Sequence, residues 1–455
     1  MKSLWAFRYL NIKGWWVFFL IFAIAPQTVF AQEGLIPVPR EMKVIGLDPQ
    51  MEGRPGLSGS VLGMFGYDTN ISYGSGDDST VQTQFESPVP GLSMAIIPSV
   101  RFTSPQWFMN KRDVGMLHYG AELQTVYRQF YSPEKSGIYN DPRFGAHVGG
   151  NFMYVPNTHF LLQAYEIFDR HAEPHYMVRD TFTMSWIQNQ AGLLMRIVPG
   201  DELFETVIRY NMGLYYFEDA DIASSNKIEH NFQARLTYRF LPHSLLWFVG
   251  SYDINSYFEN GSIRNSMPVK VSGGLFTPLW GTNMALNLGG GYGWGFYSSG
   301  ASPSTWLAFM GFQYVISTKI KLSVQYEHIF NDSLLGSYSD EHNFIAGVTM
   351  PFGERMLFTG QAGYRYLRFY GVVHEADARG DDIRVDNVVF AKLQLGYKLR
   401  NDLILRASYH FMTDQTPYRT TTPPHPNPGD DFPLTIVNNP SFTKNELFLQ
   451  LSWFF

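Results

Sequence analysis

The most constraining feature of the sequence is a two-residue alternation of apolar or aromatic side chains with polar or small ones. It recurs from residue 57 to the last residue, in segments of roughly ten residues. In the final segment, Leu449, Leu451 and Trp453 share one face of a strand, and Gln450 lies on the other. One half-buried strand of a water-soluble protein shows this pattern once. Its repetition along nearly the whole chain favours a barrel with lipid outside and water inside.

The composition supports the same class of protein. Charged residues make up 16% of the chain and aromatic residues another 16%, while the apolar total is 45%. Charge is therefore scarce for a soluble domain, and the apolar total is ordinary for one. The net charge of −6 argues against a nucleic-acid-binding protein. The absence of cysteine excludes disulfides, thiolate metal sites and a cysteine nucleophile.

The N-terminus predicts export. Lys2, Arg8 and Lys13 precede an apolar run over residues 15–25, and Ala31 ends a cleavage-site pattern of small residues. We therefore expect residues 1–31 to be a cleavable signal peptide. An uncleaved anchor is the alternative, but the run is shorter than the ~20 residues that a spanning helix needs. Residues 32–56, with four prolines, are expected to form a periplasmic arm.

No later apolar stretch is long enough for a membrane helix, so a membrane-embedded mature chain has to form a closed barrel. We predict an all-β fold: a transmembrane antiparallel β-barrel of about 18 strands over residues 57–455. Short turns alternate with long polar links, which predicts short periplasmic turns and long extracellular loops. The strands are expected to start near Leu57, Gly91, Gly115, Phe144, Phe160, Thr183, Glu205, Glu229, Leu246, Val269, Ala285, Trp306, Lys321, Asn343, Leu357, Val385, Leu403 and Asn445.

The positions on the polar face predict a pore lining. Eleven of them are basic and three are acidic: Arg101, Arg128, Arg209, Arg235, Arg239, Lys270, Lys321, Arg365, Lys392, Lys398 and Arg406 against Glu122, Glu327 and Glu446. Such a lining favours anionic solutes or an acidic polysaccharide. The alternative is that the arginines pair with loop carboxylates and hold a constriction. Aromatic residues of the same parity allow either carbohydrate stacking or packing beneath a loop: Tyr215, Phe276, Phe390, Phe448 and Phe454.

Three chemical motifs are incomplete. The glycine-rich residues 289–295 lack the Lys-Ser/Thr and the helix of a phosphate loop, so we expect these glycines to let large rings lie flat on the wall. The acidic residues 375–382 match a calcium loop only in part. Ser408, His410 and Asp414 do not make a credible triad. We therefore expect no catalytic site, no metal site, no cofactor and no enzymatic activity.

Two stretches resemble known families. The terminal Leu-Ser-Trp-Phe-Phe is similar to the C-terminal signature of bacterial outer-membrane proteins, which implies that the barrel assembly machinery reads Trp453 and Phe455. Residues 66–71, Gly-Tyr-Asp-Thr-Asn-Ile, and residues 98–102, Pro-Ser-Val-Arg-Phe, resemble the first hairpin of the type-two β-barrel porin family. This resemblance covers about forty residues and implies a role in exopolysaccharide secretion, with periplasmic export proteins as partners.

The expected location is the outer membrane, in contact with its lipid and lipopolysaccharide. A general diffusion porin is one alternative function. A surface adhesin or structural protein is another, because the last link over residues 413–444 is long and proline-rich.

Overall fold

The computed structural model describes residues 56–70, 90–104, 116–132, 143–171, 186–199, 203–218, 226–258, 265–279, 283–298, 302–316, 320–332, 338–370, 384–416, 420–422, 436–438 and 441–455. The chain divides into the units Met1–Lys43 and Val44–Phe455, and all described residues belong to the second. The predicted signal peptide, the predicted arm up to residue 55 and the acidic residues 375–382 lie outside the described ranges. Gly56 already belongs to the first strand.

The described residues form β-strands and the turns between them. The strands are β1 (Gly56–Asp68), β2 (Gly91–Thr103), β3 (Met116–Tyr131), β4 (Arg143–Asn157), β5 (Phe160–His171), β6 (Trp186–Ile197), β7 (Phe204–Phe217), β8 (Lys227–Leu241), β9 (Ser244–Tyr257), β10 (Val269–Leu279), β11 (Met284–Trp294), β12 (Ser304–Ile316), β13 (Ile320–Asp332), β14 (Tyr338–Phe352), β15 (Met356–Tyr370), β16 (Arg384–Arg400), β17 (Leu403–Gln415), β18 (Thr420–Thr422), β19 (Ile436–Asn438) and β20 (Phe442–Phe454). Within these ranges, no helix has the length and apolarity that a membrane crossing needs.

Eighteen of the strands close into one antiparallel barrel. Each strand from β1 to β16 pairs with the next, β17 pairs with β20, and β20 pairs with β1. At this seam, Gly59 and Phe455 exchange two backbone hydrogen bonds of 3.0 Å. The predicted 18-stranded antiparallel barrel is thereby confirmed. The short strands β18 and β19 pair only with each other, within the last link.

The strand starts agree with the prediction to within a few residues, and the largest difference is in β14. This strand begins at Tyr338, whereas the alternation predicts a start near Asn343. The first residues of β14 are Tyr-Ser-Asp-Glu-His, which lack apolar alternation. They are a strand because β13 and β15 supply hydrogen-bonding partners on both sides.

The two ends of the barrel differ. Both chain ends of the barrel lie at the end that carries the short turns, such as those that join β8 to β9 and β16 to β17. We call this the turn end and the opposite one the loop end. The links at the loop end fall largely outside the described residues, so their length and form stay predictions.

The outer face is apolar. On β20, Leu449 and Trp453 are 52% and 48% exposed, whereas Phe448 on the opposite face is only 2% exposed. The same alternation runs through the other strands, and large side chains such as Phe65, Phe248 and Trp306 lie exposed on the outer face. A continuous apolar exterior of this kind is typical of a surface that contacts hydrocarbon.

Candidate functional site inside the barrel

The strand register fixes which side chains point inwards. Residues directly opposite each other on neighbouring strands share a face. Ser58 faces Arg101, and Arg101 faces Glu122, so all three lie inside. Followed around the barrel, the register places every predicted pore-lining residue on the inner face. That these residues line an open pore stays a prediction.

Five of the predicted residues are buried. Arg128, Glu327, Arg365, Arg406 and Glu446 are between 4% and 9% exposed. Arg128 donates from Nε to Ser93 at 3.0 Å, and Arg406 donates to the hydroxyl of Ser452 at 2.7 Å. The interior is therefore packed around these side chains.

The predicted ratio of eleven basic to three acidic inner residues is wrong. The inner face carries further charged residues: the bases Arg143, Arg196, Lys227, Arg384 and Lys444, and the acids Asp68, Asp169, Glu205, Glu229, Asp253, Glu341, Asp386 and Asp414. Most of them lie in the part of each strand that is nearest the loop end. Apolar alternation is absent there, so the sequence pattern did not identify these positions as inward-facing.

One group of charges lies at the seam of the barrel. Lys444 Nζ is 2.9 Å from Asp68 Oδ2 and 3.2 Å from Glu446 Oε1. Glu446 Oε2 is 3.4 Å from His410 Nδ1. All four side chains are largely buried, so each charge depends on its partners. The group ties β1, β17 and β20 together at the loop end.

A second group crosses the interior. Asp332, at the end of β13, accepts a hydrogen bond from Tyr257 and another from Ser266 at 3.1 Å. Its Oδ2 also lies 2.9 Å from Lys227 Nζ. Lys227 belongs to β8, and four strands separate β8 from β13 in the wall. The contact therefore passes through the interior of the barrel, because these strands are not neighbours.

A third group continues from the second. Lys270 Nζ donates to Asn331 Oδ1 at 3.1 Å, and the amide of Asn331 donates to Glu341 Oε1 at 3.3 Å. Glu341 pairs with Arg365 at 3.3 Å, and Arg365 donates to Asn343 at 3.0 Å. These contacts link β10 to β15. They favour the alternative in which arginines pair with carboxylates and hold a constriction, but the carboxylates lie at strand ends and not in loops.

Positive charge is concentrated in the turn-side half of the inner face. The charged residues there are Arg101, Arg196, Arg209, Arg235, Arg239, Lys321, Lys398 and Arg406 against Glu122 and Glu205. The acids predominate in the loop-side half, where Asp68, Asp332, Glu341 and Glu446 belong to the groups described above. Lys392 lies at the middle of β16. The predicted basic lining is therefore present only in the turn-side half of the inner face.

Most of the predicted inner aromatic residues serve packing. Tyr215, Phe448 and Phe454 are buried, and Phe454 packs with Leu357 and Ile404. Trp247, which was not among the predicted inner aromatic residues, is half-buried on the inner face of β9.

Trp247 lies flat against the wall. A Cβ added at Gly274 or Gly289 would come within 2.5 Å of its ring, so only glycine permits this position. Its Nε1 donates to Asn287 Oδ1 at 2.9 Å. Trp247, with half-buried Phe276 and Phe309 on the same inner wall, forms what we call the aromatic platform. The prediction that glycines 289–295 accommodate large rings is confirmed at Gly289, and at Gly293, against which Phe330 lies.

One group in the described part of the chain has the donor atoms of a metal site. It consists of His328, Asp340 and His342, whose possible ligand atoms lie within 4.8 Å of one another. We expected no metal site from the sequence, and none of these three residues was a candidate. Asp340 and His342 lie two residues apart on one strand, and this spacing is visible in the sequence. The position of His328 on the neighbouring strand is not visible there, because it depends on the register.

Comparison with known proteins finds similarity in structure alone. No protein-family model and no curated protein sequence matches the chain. Among solved structures, the siderophore receptor PirA from Pseudomonas aeruginosa matches with a TM-score of 0.44 and 9% identity, over 89% of this chain and 81% of that one. OpdK from P. aeruginosa, solved with vanillate, matches with a TM-score of 0.44 and 10% identity, over 88% of this chain and 99% of that one. OccAB4 from Acinetobacter baumannii matches with a TM-score of 0.44 and 10% identity, over 89% of this chain and 99% of that one.

Proposed function

We propose that this protein is an outer-membrane channel that conducts solute or polymer passively. The observation that carries the proposal is the closed 18-stranded barrel with an apolar outer face and a charged inner face. In a bilayer every backbone polar group needs a partner, and closure supplies one for each strand. Barrels of 16–18 strands leave an aqueous channel where loops do not fill them.

The proposal includes the location and the partners. The exported chain is inserted by the barrel assembly machinery with its turn end in the periplasm, and it contacts lipid and lipopolysaccharide through its outer face. The N-terminal pattern supports export, and the aromatic C-terminal residues on the outer face support insertion.

The charge distribution supports anionic cargo that enters from the turn end. Basic residues dominate the turn-side half of the inner face, and such a lining raises the local concentration of anions at this mouth. The loop-end groups narrow the opposite end, where charges of both signs offset each other. Because the chain has no visible energy source, direction would come from partner proteins.

The finer proposal is that the cargo is an exopolysaccharide handed over by periplasmic export proteins. The aromatic platform supports it, because the flat ring of Trp247 offers a face for stacking and Asn287 lies beside it. A general diffusion porin is the second candidate, favoured by the large barrel. The adhesin alternative depends on the last link, whose proline-rich part lies outside the described residues.

Planar-bilayer recording of the purified protein tests the channel. We expect stepwise conductance, and a reversal potential in a KCl gradient that reports anion preference. Absence of conductance from correctly folded protein would contradict the channel, and cation preference would contradict the anionic cargo. A heat-modifiable gel shift establishes beforehand that the barrel is folded.

Block by oligosaccharides tests the finer proposal. Anionic oligosaccharides added at the turn-end side should interrupt the current, and Trp247→Ala should shorten the interruptions. Trp294→Ala, which removes an outer-face ring, is the matched control. Equal block by small dicarboxylates, with no effect of Trp247→Ala, would favour the general porin.

A further inference from the structure

Two histidines face each other on the outer surface at the loop end. His328 on β13 and His342 on β14 are directly opposite in the register. Their rings stack with centroids 4.2 Å apart and an angle of 12° between the planes. Asp340 lies on the same face, because it precedes His342 by two residues on the strand. Its Oδ1 is 2.6 Å from His328 Nε2.

His328 is buried although it lies on the outer face. Only 1% of it is exposed, and the Trp306 ring covers it with the centroids 4.0 Å apart. Its Nδ1 is buried and has no hydrogen-bond partner among the described residues. An unsatisfied buried nitrogen is unfavourable. The ring nitrogen that faces Asp340 is Nε2, so Nε2 is the atom of His328 that is available as a ligand.

The donor atoms suit a transition metal. Two imidazole nitrogens and one carboxylate oxygen are ligands that zinc commonly binds, and a fourth position would be left for water. The hydroxyl of Tyr326 lies 3.0 Å from His342 Nδ1. Such a hydrogen bond to the other ring nitrogen is what orients a histidine ligand. In the bound form His342 Nδ1–H would donate to Tyr326, which leaves Nε2 for the metal.

We propose that His328, Asp340 and His342 form an outer-face site for a divalent metal of the zinc class. The ligand atoms, now within 4.8 Å of one another, would draw together to the ~3.3 Å spacing of tetrahedral zinc ligands. Metal would replace the proton shared by His328 and Asp340, which is released to solvent. The site does not depend on the channel proposal.

The position of the site indicates what the metal would do. The pairing of β12 with β13 stops at Ala308 and His328, and residues 329–332 of β13 pair only with β14 among the described strands. The site therefore lies where β13 leaves β12. A metal bound there would hold β13 to β14 and support the inward position of Asp332.

Metal titration of the tag-free, detergent-extracted full chain tests this site. Wild-type protein should bind one Co²⁺ with visible absorption bands, and Zn²⁺ should displace it. His342→Gln and Asp340→Asn should abolish the bands, and Tyr326→Phe should weaken affinity by about 10–100-fold. Zn²⁺ should also raise the temperature at which the folded gel band of the wild type is lost.

A second outer-face pair provides the control. The hydroxyl of Tyr210 lies 2.9 Å from His230 Nδ1, as Tyr326 does to His342, but His230 belongs to no group of metal-binding donors in the described structure. His230→Gln should leave Co²⁺ binding unchanged. Absence of the bands in folded wild type, or equal loss in His230→Gln, would overturn the proposal. If His342→Gln fails to fold, Asp340→Asn and Tyr326→Phe decide.

Discussion

Lys227 and Asp332 are 2.9 Å apart across the interior of the barrel, although four strands separate them in the wall. Both side chains are nearly buried. The pair draws the end of β13 towards β8 and narrows the interior of the barrel at the loop end. The residues that form this constriction belong to the strands of the barrel.

Asp332→Asn should open this constriction. The change removes one of the two carboxylates beside Lys227 and leaves Glu229, whose Oε2 is 3.3 Å from Lys227 Nζ, so the cost should lie at or below the ~3–5 kcal/mol of an uncompensated buried charge. We expect a larger single-channel conductance and more frequent fluctuations. The double variant Lys227→Met/Asp332→Leu should keep the larger conductance and recover stability, since neither charge then remains buried.

The control for that experiment is the exposed pair of Arg400 and Asp402 in a turn. Asp402→Asn should alter neither conductance nor stability, because water already solvates both groups. An unchanged conductance in Asp332→Asn would show that another part of the chain sets the narrowest point.

Gly66→Ala should destabilise the seam between β1 and β20. A Cβ at this position would collide with the ring of Phe448 and the carbonyl of Leu447. Overpacking of this kind costs about 1–3 kcal/mol. The loss of the folded gel band should therefore occur at a lower temperature. Gly63→Ala on the same strand is the control, since nothing lies within 4 Å of its added Cβ.

The fold could be predicted because the outer side of each strand in a barrel that faces hydrocarbon has to be apolar. Leu449, Leu451 and Trp453 show this alternation in the sequence and lie exposed on the outer face of β20. The number and approximate position of the strands follow from the same periodicity. Hydrogen bonding to neighbours, which extends β14 to Tyr338, leaves no periodic trace.

The charged interior could be predicted only in part. Asp68, Lys227 and Lys444 lie at strand ends where polar residues follow one another, so the sequence cannot distinguish them from loop residues. The sequence also does not show which side chains on different strands contact each other. Neither the contact of Asp332 with Lys227 nor that of His328 with Asp340 follows from spacing, because both depend on three-dimensional register.

Reversal of two charges at the turn end should change ion selectivity. In the variant Arg239→Glu/Lys321→Glu, the local excess of positive charge becomes smaller, so the anion-to-cation permeability ratio should fall several-fold. The effect should shrink in 1 M salt, where the screening length is only ~3 Å. Arg355→Glu changes the charge of an exposed turn residue and should have little effect. Equal shifts from Arg355→Glu would place the selective field outside the lumen.

Phe455→Ala should impair insertion of the protein more than its stability. The ring of Phe455 is 62% exposed and therefore contributes little packing inside the barrel, and its backbone hydrogen bonds with Gly59 do not need the side chain. If the terminal aromatic residues are an assembly signal, the variant should accumulate in the periplasm of expressing cells. The same variant, refolded in detergent, should unfold near the wild-type temperature. Phe65→Ala, which removes a ring that is 54% exposed on the outer face of β1, should insert normally. Normal insertion of Phe455→Ala and Trp453→Ala would show that the C-terminal strand is recognised through its backbone or its other side chains.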